Sequence, residues 1–371
     1  MQGQWIGEYS GSNRGVIIVN VDEFPSYFEG FAYINDSNPK LASTAAFFRT
    51  ADKRETFKFR TLHLGVVDPR TGLPDTWNNV RHLYPDSLNM PLYADVEGSW
   101  NETVLTLSWR TNIETHGACT LPRSKADQPS DLVPVQYNWA QFKSELSSPK
   151  GRRFIFRGQN GPSRLRTAFH RSGRANLQRF ITTDIQTLHR RLSARTKHVF
   201  NLEIPVQNGA FFNLVQHHGY PTPLLDWTYS PYVAAFFAYR GISNSAAAKA
   251  DPTDKVRIYV FDQDQWSSDY PQLFNLAVSS LHVSISEFIA IDNERMIPQQ
   301  ATSTVTNVDD IEAYIRSKEF PGKTYLSAID LPKSERKQVI EELSYMGITA
   351  GSLFPGLDGA CEELKERFFE I

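Results

Sequence analysis

Two stretches of the chain concentrate side chains that could do chemistry. One is Phe156-Arg157-Gly158-Gln159, where a guanidinium stands beside a residue without a Cβ. The other runs from Gln216-His217-His218-Gly219-Tyr220-Pro221-Thr222-Pro223 into Leu224-Leu225-Asp226-Trp227-Thr228-Tyr229-Ser230-Pro231. Guanidinium is the preferred partner for planar two-point capture of phosphate. The glycine after Arg157 leaves room for a backbone or a ligand to come close. Ser230 fits a helix N-cap and Pro231 the first helical position, and a helix N-terminus favours anions. Arg157, the hydroxyls of Thr228 and Ser230, the Trp227 ring and that helix end together predict a nucleotide site.

Other chemistries find less support. Adjacent histidines rarely point at one metal, and Cys119 and Cys361 lie far apart and fit no metal spacing, so no metal site is expected. His218 could line a pocket as donor or base, with His217 as a helix C-terminal residue favoured by the dipole. Ser/His/Asp hydrolase signatures, a P-loop and a dinucleotide fingerprint are absent. Plainer roles are also open. Arg157 can form a buried ion pair with Asp226, Trp227 can be a core anchor, and Leu224, Leu225, Ala234, Phe236 and Phe237 are core.

The elements that must position these groups differ along the chain. Residues 1–121 predict a β-rich recognition or regulatory domain, an antiparallel sandwich or barrel. Gly15 to Val21, Tyr27 to Ile34, Thr56 to Thr61 and Thr103 to Trp109 read as strands, and 68–86 as a long surface loop. Residues 122–136 are polar and proline-bearing and read as a linker. A mixed α/β domain over 137–371 makes the whole chain α+β. It should contain a helix over Trp139 to Leu146, a strand at Arg153 to Gly158, and basic helices around 175–200. A helix ending at His218 is stopped by Gly219, which needs a positive φ. Extended chain follows over 223–228, then a short, wholly apolar and therefore buried helix over Tyr232 to Tyr239. Arg257 to Asp262 reads as a strand. One C-terminal helix, Ser334 to Met346, ends at Gly347.

The Phe-Arg-Gly piece together with the Gln-His-x-Gly turn, Pro-Thr, Leu-Leu-Asp-Trp-Thr and the small-apolar helix with Ala234, Ala235 and Ala238 resembles the FRG domain over about 150–360. Arg295-Met296-Ile297-Pro298-Gln299-Gln300 and Gly347-Ile348 with Ser352 to Leu357 agree with it. Pro223 stands where the family commonly has Arg. The layout is also similar to the ADP-ribosyltransferase fold. That likeness implies that Arg157 holds the diphosphate of NAD and that Thr228 and Ser230 line the nicotinamide-ribose pocket. Gly158, His218, Asp226, Trp227 and Tyr229 would complete the cofactor wall. The third motif would fall near Gln299 to Thr304, where this sequence offers Gln300 and not Glu. A carboxylate stabilises an oxocarbenium-like ribose better than an amide does, and Glu287 and Glu294 are nearby in sequence.

The expectation from this likeness is a NAD-consuming, ADP-ribosyltransferase-like effector; by analogy such two-domain designs suit a toxin or phage-defence setting. The alternative is a non-catalytic module that binds nucleic acid or a nucleotide. The Arg-rich stretch from Arg164 to Lys197 could serve a nucleic-acid or protein acceptor, or be a solvated helical face. With a net charge of -2 the whole chain is no polyanion trap. Scarce cysteine, and no signal-peptide pattern or membrane-length apolar run, predict a cytoplasmic protein without a membrane partner.

Overall fold

Alternating apolar residues make the N-terminal third a set of antiparallel strands. A computed structural model describes residues 1–146 and 152–369. The strands are β1 (Gly3–Gly11), β2 (Arg14–Glu23), β3 (Phe28–Asp36), β4 (Thr44–Arg49), β5 (Thr56–Arg60), β6 (His63–Val67), β7 (Pro74–Asp75), β8 (Ala94–Trp100), β9 (Val104–Thr111) and β10 (His116–Pro122). They form a ten-stranded sheet in the order β5-β8-β9-β10-β1-β2-β3-β4-β6-β7. The two ends of the sheet meet through the bent chain between β5 and β6. Thr61 N donates to Ala94 O on the β8 side, and the next residue, Leu62, donates from its N to Phe47 O on the β4 side, at 2.9 and 2.8 Å. The sheet is therefore a closed barrel, and closure removes the exposed edges that an open sheet would present. Trp5, Tyr9, Ile17, Val19, Leu105 and Leu107 are among the inward residues of its core. The stretch 68–86, expected as a loop, is partly ordered. It holds β7, a short helix Trp77–Val80 and a turn anchored by Asp68, whose carboxylate accepts two bonds from the Arg70 guanidinium at 3.0 and 2.7 Å.

The second sheet has seven strands: β11 (Val135–Gln136), β12 (Phe154–Gln159), β13 (Leu224–Thr228), β14 (Lys255–Asp262), β15 (Val283–Ser286), β16 (Ala301–Thr306) and β17 (Leu326–Pro332), in the order β11-β17-β14-β12-β13-β16-β15. It is antiparallel apart from the β11–β17 pair. One face packs on the Trp139–Leu146, Pro231–Tyr239 and Arg336–Tyr345 helices. The Pro231–Tyr239 helix is as apolar and buried as its sequence predicts, with Ala234, Ala235, Ala238 and Tyr239 fully covered. Another core on the domain gathers the Pro205–His217 helix with Phe169, Phe180 and Leu224. The segment expected as a linker is docked along this domain. Ser130 N donates to Pro162 O at 2.7 Å, Asp131 meets Arg164 at 2.9 Å, and residues 135–136 are the edge strand β11.

At the C-terminus the structure holds more helix than the sequence reading expected. The expected helix is present as Arg336–Tyr345 and stops near Gly347, whose φ is +76°. A further helix, Leu357–Phe369, follows. Its Leu357, Leu364, Phe368 and Phe369 are exposed, so it carries no buried apolar stripe for periodicity to reveal. No helix among the described residues is long and apolar enough to cross a membrane.

Two buried histidines give the fold a definite acid sensitivity. His170 bonds Thr167 Oγ1 through Nδ1 at 2.8 Å and His282 bonds Ser284 Oγ at 3.0 Å, while each Nε2 is buried without a partner among the described residues. Burial holds both imidazoles down to about 4. Unfolded, each would titrate near 6.5. The unfolded chain thus binds protons first, so the stability contributed by neutral burial is complete above about pH 6.5 and is lost as the pH falls toward 4. Between pH 7.5 and 5.5, above the range of ordinary carboxylates, the unfolding free energy should drop by on the order of 1 kcal/mol for each histidine. Urea midpoints at the two pH values measure this. Equal midpoints would mean that the imidazoles titrate alike in both states.

Candidate functional site

The residues singled out above separate into an inner network and an outer cleft. The inner network begins where β12 and β13 part. Their pairing is a single bridge, Phe156 to Thr228. If the ladder continued, Gly158 would face Asp226. Instead the Arg157 side chain reaches across, and its Nη1 donates to the main-chain carbonyl of Asp226 at 2.7 Å. The guanidinium thus takes the place of a ladder donor and holds the splayed strands at a set separation. Protein packs closely around it and Nε is buried without a partner among the described residues. Burial draws this guanidinium down to about 10, against the opposing pull of Asp226. It remains a cation at neutral pH.

The Asp226 carboxylate has other partners. Its Oδ1 accepts from Gln216 Nε2 at 2.5 Å and from Ser303 Oγ at 3.3 Å, and Gln216 Oε1 in turn accepts from the Thr222 hydroxyl. This closed set ties the end of the Pro205–His217 helix to β13 and β16. It pins the intervening turn, residues 217–223, from both sides. Gly219 adopts φ +85°, the left-handed turn expected of it.

Gly158 serves a different neighbour from the one its position beside Arg157 suggests. A Cβ there would lie 1.9 Å from Ala234 O and 2.7 Å from Ala238 N. The close approach is by the backbone of the Pro231–Tyr239 helix. Thr228 and Ser230 are also engaged locally. Thr228 Oγ1 donates to Gln299 O at 2.7 Å and accepts from Ser230 N at 3.0 Å, while Ser230 Oγ accepts from Val233 N at 3.3 Å as the N-cap. Trp227 is a core anchor, with Nε1 on Thr304 Oγ1 at 3.2 Å and its ring 5.6 Å from Phe261. Tyr229 is half-buried. Its hydroxyl donates to Glu287 and its ring lies under Arg152. Gln300 is exposed beside it, in the left-handed region at φ 47°, and its carbonyl accepts from Tyr229 N.

The outer cleft has a volume of about 850 Å³. One wall is the pinned turn, with His217, His218, Gly219, Tyr220 and Pro221. The opposite walls bring Arg195 and Lys197, the segment 292–295, and Pro355. Arg295 Nη1 donates to His217 O at 3.0 Å, His217 Nδ1 bonds Asn293 Oδ1 at 2.8 Å, and Gln299 Nε2 donates to Leu353 O at 2.9 Å. The three separated sequence pieces therefore meet here. A family model of the FRG domain matches residues 152–247, which include both the Phe-Arg-Gly strand and the turn. The chain carries an FRG domain. No curated protein and no solved structure matches the chain.

The structure brings together Arg157, Gln216, Thr222 and Asp226, all within the matched residues, with Ser303 from β16 as a structural network. It places His217 and His218 on the cleft, away from Thr228 and Ser230. Sequence reasoning named Tyr220, Glu294 and Arg295 but missed Asp292 and Asn293 as cleft residues. Nothing in their local spacing marks them, since the cleft joins segments far apart in the chain.

The basic stretch also divides. Arg164 meets Asp131 and Asp310, Arg166 meets Asp309, Arg174 meets Asp22 and Asp184, and Arg179 meets Glu29. Arg190, Arg191, Arg195 and Lys197 are exposed. Most arginines of the first half thus fasten the protein together, while the last turns present cations to solvent and the cleft.

Proposed function

We propose that the FRG domain binds a nucleotide in the cleft walled by residues 217–221, 195–197 and 292–295. The observation that carries this reading is the meeting of Arg195, Lys197 and Arg295 with two imidazoles and the Tyr220 ring in one concave site. Cations suit phosphate. A tyrosine beside prolines suits the flat face of a base. The cleft lies within the range of about 300–1,000 Å³ usual for small-ligand sites. The C-terminal end of the Pro205–His217 helix faces the cleft with its partial negative charge, and the cations around it offset that field. On this reading Arg157 acts indirectly, by setting the turn that forms one wall.

A second reading, NAD-consuming ADP-ribosyl transfer, is favoured by one feature: Glu294 shares the cleft with the cations. A carboxylate there could stabilise the ribose cation as nicotinamide leaves. The test is calorimetric titration with NAD, alongside a nicotinamide-release assay. The double variant Arg195→Glu/Lys197→Glu should weaken NAD binding by at least about ten-fold, the equivalent of about 1.4 kcal/mol. Arg190→Glu/Arg191→Glu, outside the cleft lining, should leave it nearly unchanged. NAD binding that is insensitive to the first pair would remove the cleft from consideration. Nicotinamide release lost in Glu294→Gln with binding retained would raise the second reading above the first. Binding of single-stranded oligonucleotide alone, falling steeply with salt, would instead favour a nucleic-acid partner.

A further inference from the structure

The N-terminal barrel is hollow at one end, and the reason is written in its strand register. Counting β5 and β6 as one bent strand, eight strands close it: β5/β6, β8, β9, β10, β1, β2, β3 and β4. Barrels of about eight strands have an interior that side chains can just fill, or that can hold one small ligand. Three large rings that should fill this interior lie instead against its wall. Trp109 is directly opposite Gly117, Phe57 is opposite Gly98, and Phe48 is opposite Gly30. A Cβ on those glycines would fall 2.3, 2.6 and 2.3 Å from the facing rings. Each ring thus covers the bare backbone of its cross-strand partner and does not project across the centre. The small side chains of Ala32 and Ala46 widen the space further.

The two ends of the barrel differ. One end is filled by Trp5 and Leu121, with Phe28 and Trp100 in edge contact at 5.6 Å. The other holds a cavity of about 260 Å³, bounded by Ile17, Ile34, Phe59, Leu64 and Trp109 and reached between the β1–β2, β3–β4 and β9–β10 turns. Its rim is polar. Tyr9 donates to Asp36 Oδ2 at 3.2 Å, Ser12 Oγ lies 3.1 Å from His116 Nδ1, and Thr111 and Thr115 share a hydroxyl bond at 2.7 Å. Asp36 is the one charged side chain in the lining among the described residues. Its oxygens are held by Tyr9 and by the N–H of Asn38.

We infer that the barrel lumen is a binding site for one compact, uncharged, mainly aromatic or hydrocarbon molecule that carries a hydrogen-bonding group at one end. The apolar wall takes the body and the rim hydroxyls and His116 take the polar end. A carboxylate-bearing ligand is disfavoured because its charge would face Asp36 across a partly dry mouth. This site is independent of the cleft in the FRG domain.

The experiment uses the full chain and two probes of one shape, 2-naphthol and the anionic 2-naphthoate, titrated calorimetrically. The lumen predicts one saturable site for 2-naphthol, with 2-naphthoate weaker by at least about ten-fold. Two separate variants fill the cavity, Ala46→Phe and Ala32→Leu, each checked for folding by near-ultraviolet circular dichroism. Each folded variant should lose 2-naphthol binding by about ten-fold or more, an amount that one steric block readily supplies. If Ala46→Phe fails to fold, the smaller Ala32→Leu still decides. Absent saturable binding by the unaltered chain, or binding unchanged in a folded filled variant, would overturn the site. Equal affinity for the two probes would overturn the assigned ligand class.

Discussion

Replacing Asp22 by alanine should lower the unfolding free energy by about 3–5 kcal/mol, because it strips four donors of a buried acceptor at the junction of the two domains. Asp22 lies on β2 and its side chain is 2% exposed. Oδ2 accepts from Arg174 Nε and Nη2 at 2.9 and 2.7 Å, and Oδ1 accepts from the N–H groups of Ala175 and Asn176 at 2.8 and 3.0 Å. Without the carboxylate, two buried main-chain donors lose their partner and Arg174 is left with Asp184 and the Phe169 ring. The same face of the barrel carries Glu29, which receives Arg179 and Arg49, and Gln4, which donates to Asn307 O and accepts from Asp309 N. Asp22→Asn keeps one acceptor oxygen and should cost markedly less, about 1–2 kcal/mol. Guanidinium unfolding of the three proteins measures the series. A loss under about 1 kcal/mol for the alanine variant would mean that water readily replaces the carboxylate, as at exposed pairs.

Gly158→Ala should be the most damaging single-methyl change in the FRG domain, costing about 3 kcal/mol or more. Overpacking commonly costs about 1–3 kcal/mol when side chains can adjust. Here the added carbon meets backbone atoms, Ala234 O at 1.9 Å and Ala238 N at 2.7 Å. The helix carrying them is closed in by Val256, Ile258 and Leu331 and cannot retreat without opening the core. Moving β12 the other way would break its six-residue ladder with β14 and carry Arg157 off the Asp226 carbonyl. Gly161→Ala is the control, since a Cβ there meets nothing within 4 Å. Thermal and urea unfolding of both variants check the contrast. A Gly158→Ala protein as stable as the control would show that the helix packs more loosely against β12 than its contacts imply.

Much of the local structure was legible because it depends on neighbours in sequence. The β-branched run over Gly15 to Val21 marks β2, and alternation over Thr103 to Trp109 marks β9. Ser230-Pro231 sets the start of the buried helix, and Gly219 and Gly347 set helix ends, because capping and left-handed turns are properties of a few consecutive residues. The Phe-Arg-Gly and Gln-His-x-Gly pieces were enough to place an FRG domain. Their division of labour was not legible. Whether Arg157 meets a carboxylate, a ligand or a carbonyl depends on β12 and β13 splaying after one bridge, and that follows from how two strands 69 residues apart are packed. Arg174 and Arg179 find partners some 150 residues away on the barrel, and Arg164 and Arg166 pair with Asp131, Asp310 and Asp309, so a run of arginines that looks like a polyanion surface is partly consumed by internal ion pairs. The barrel cavity is the clearest case. Period-two patterning places Trp109 and Phe57 inward, but only the register sets them and Phe48 opposite glycines, and that pairing lays the rings on the wall and leaves the centre open.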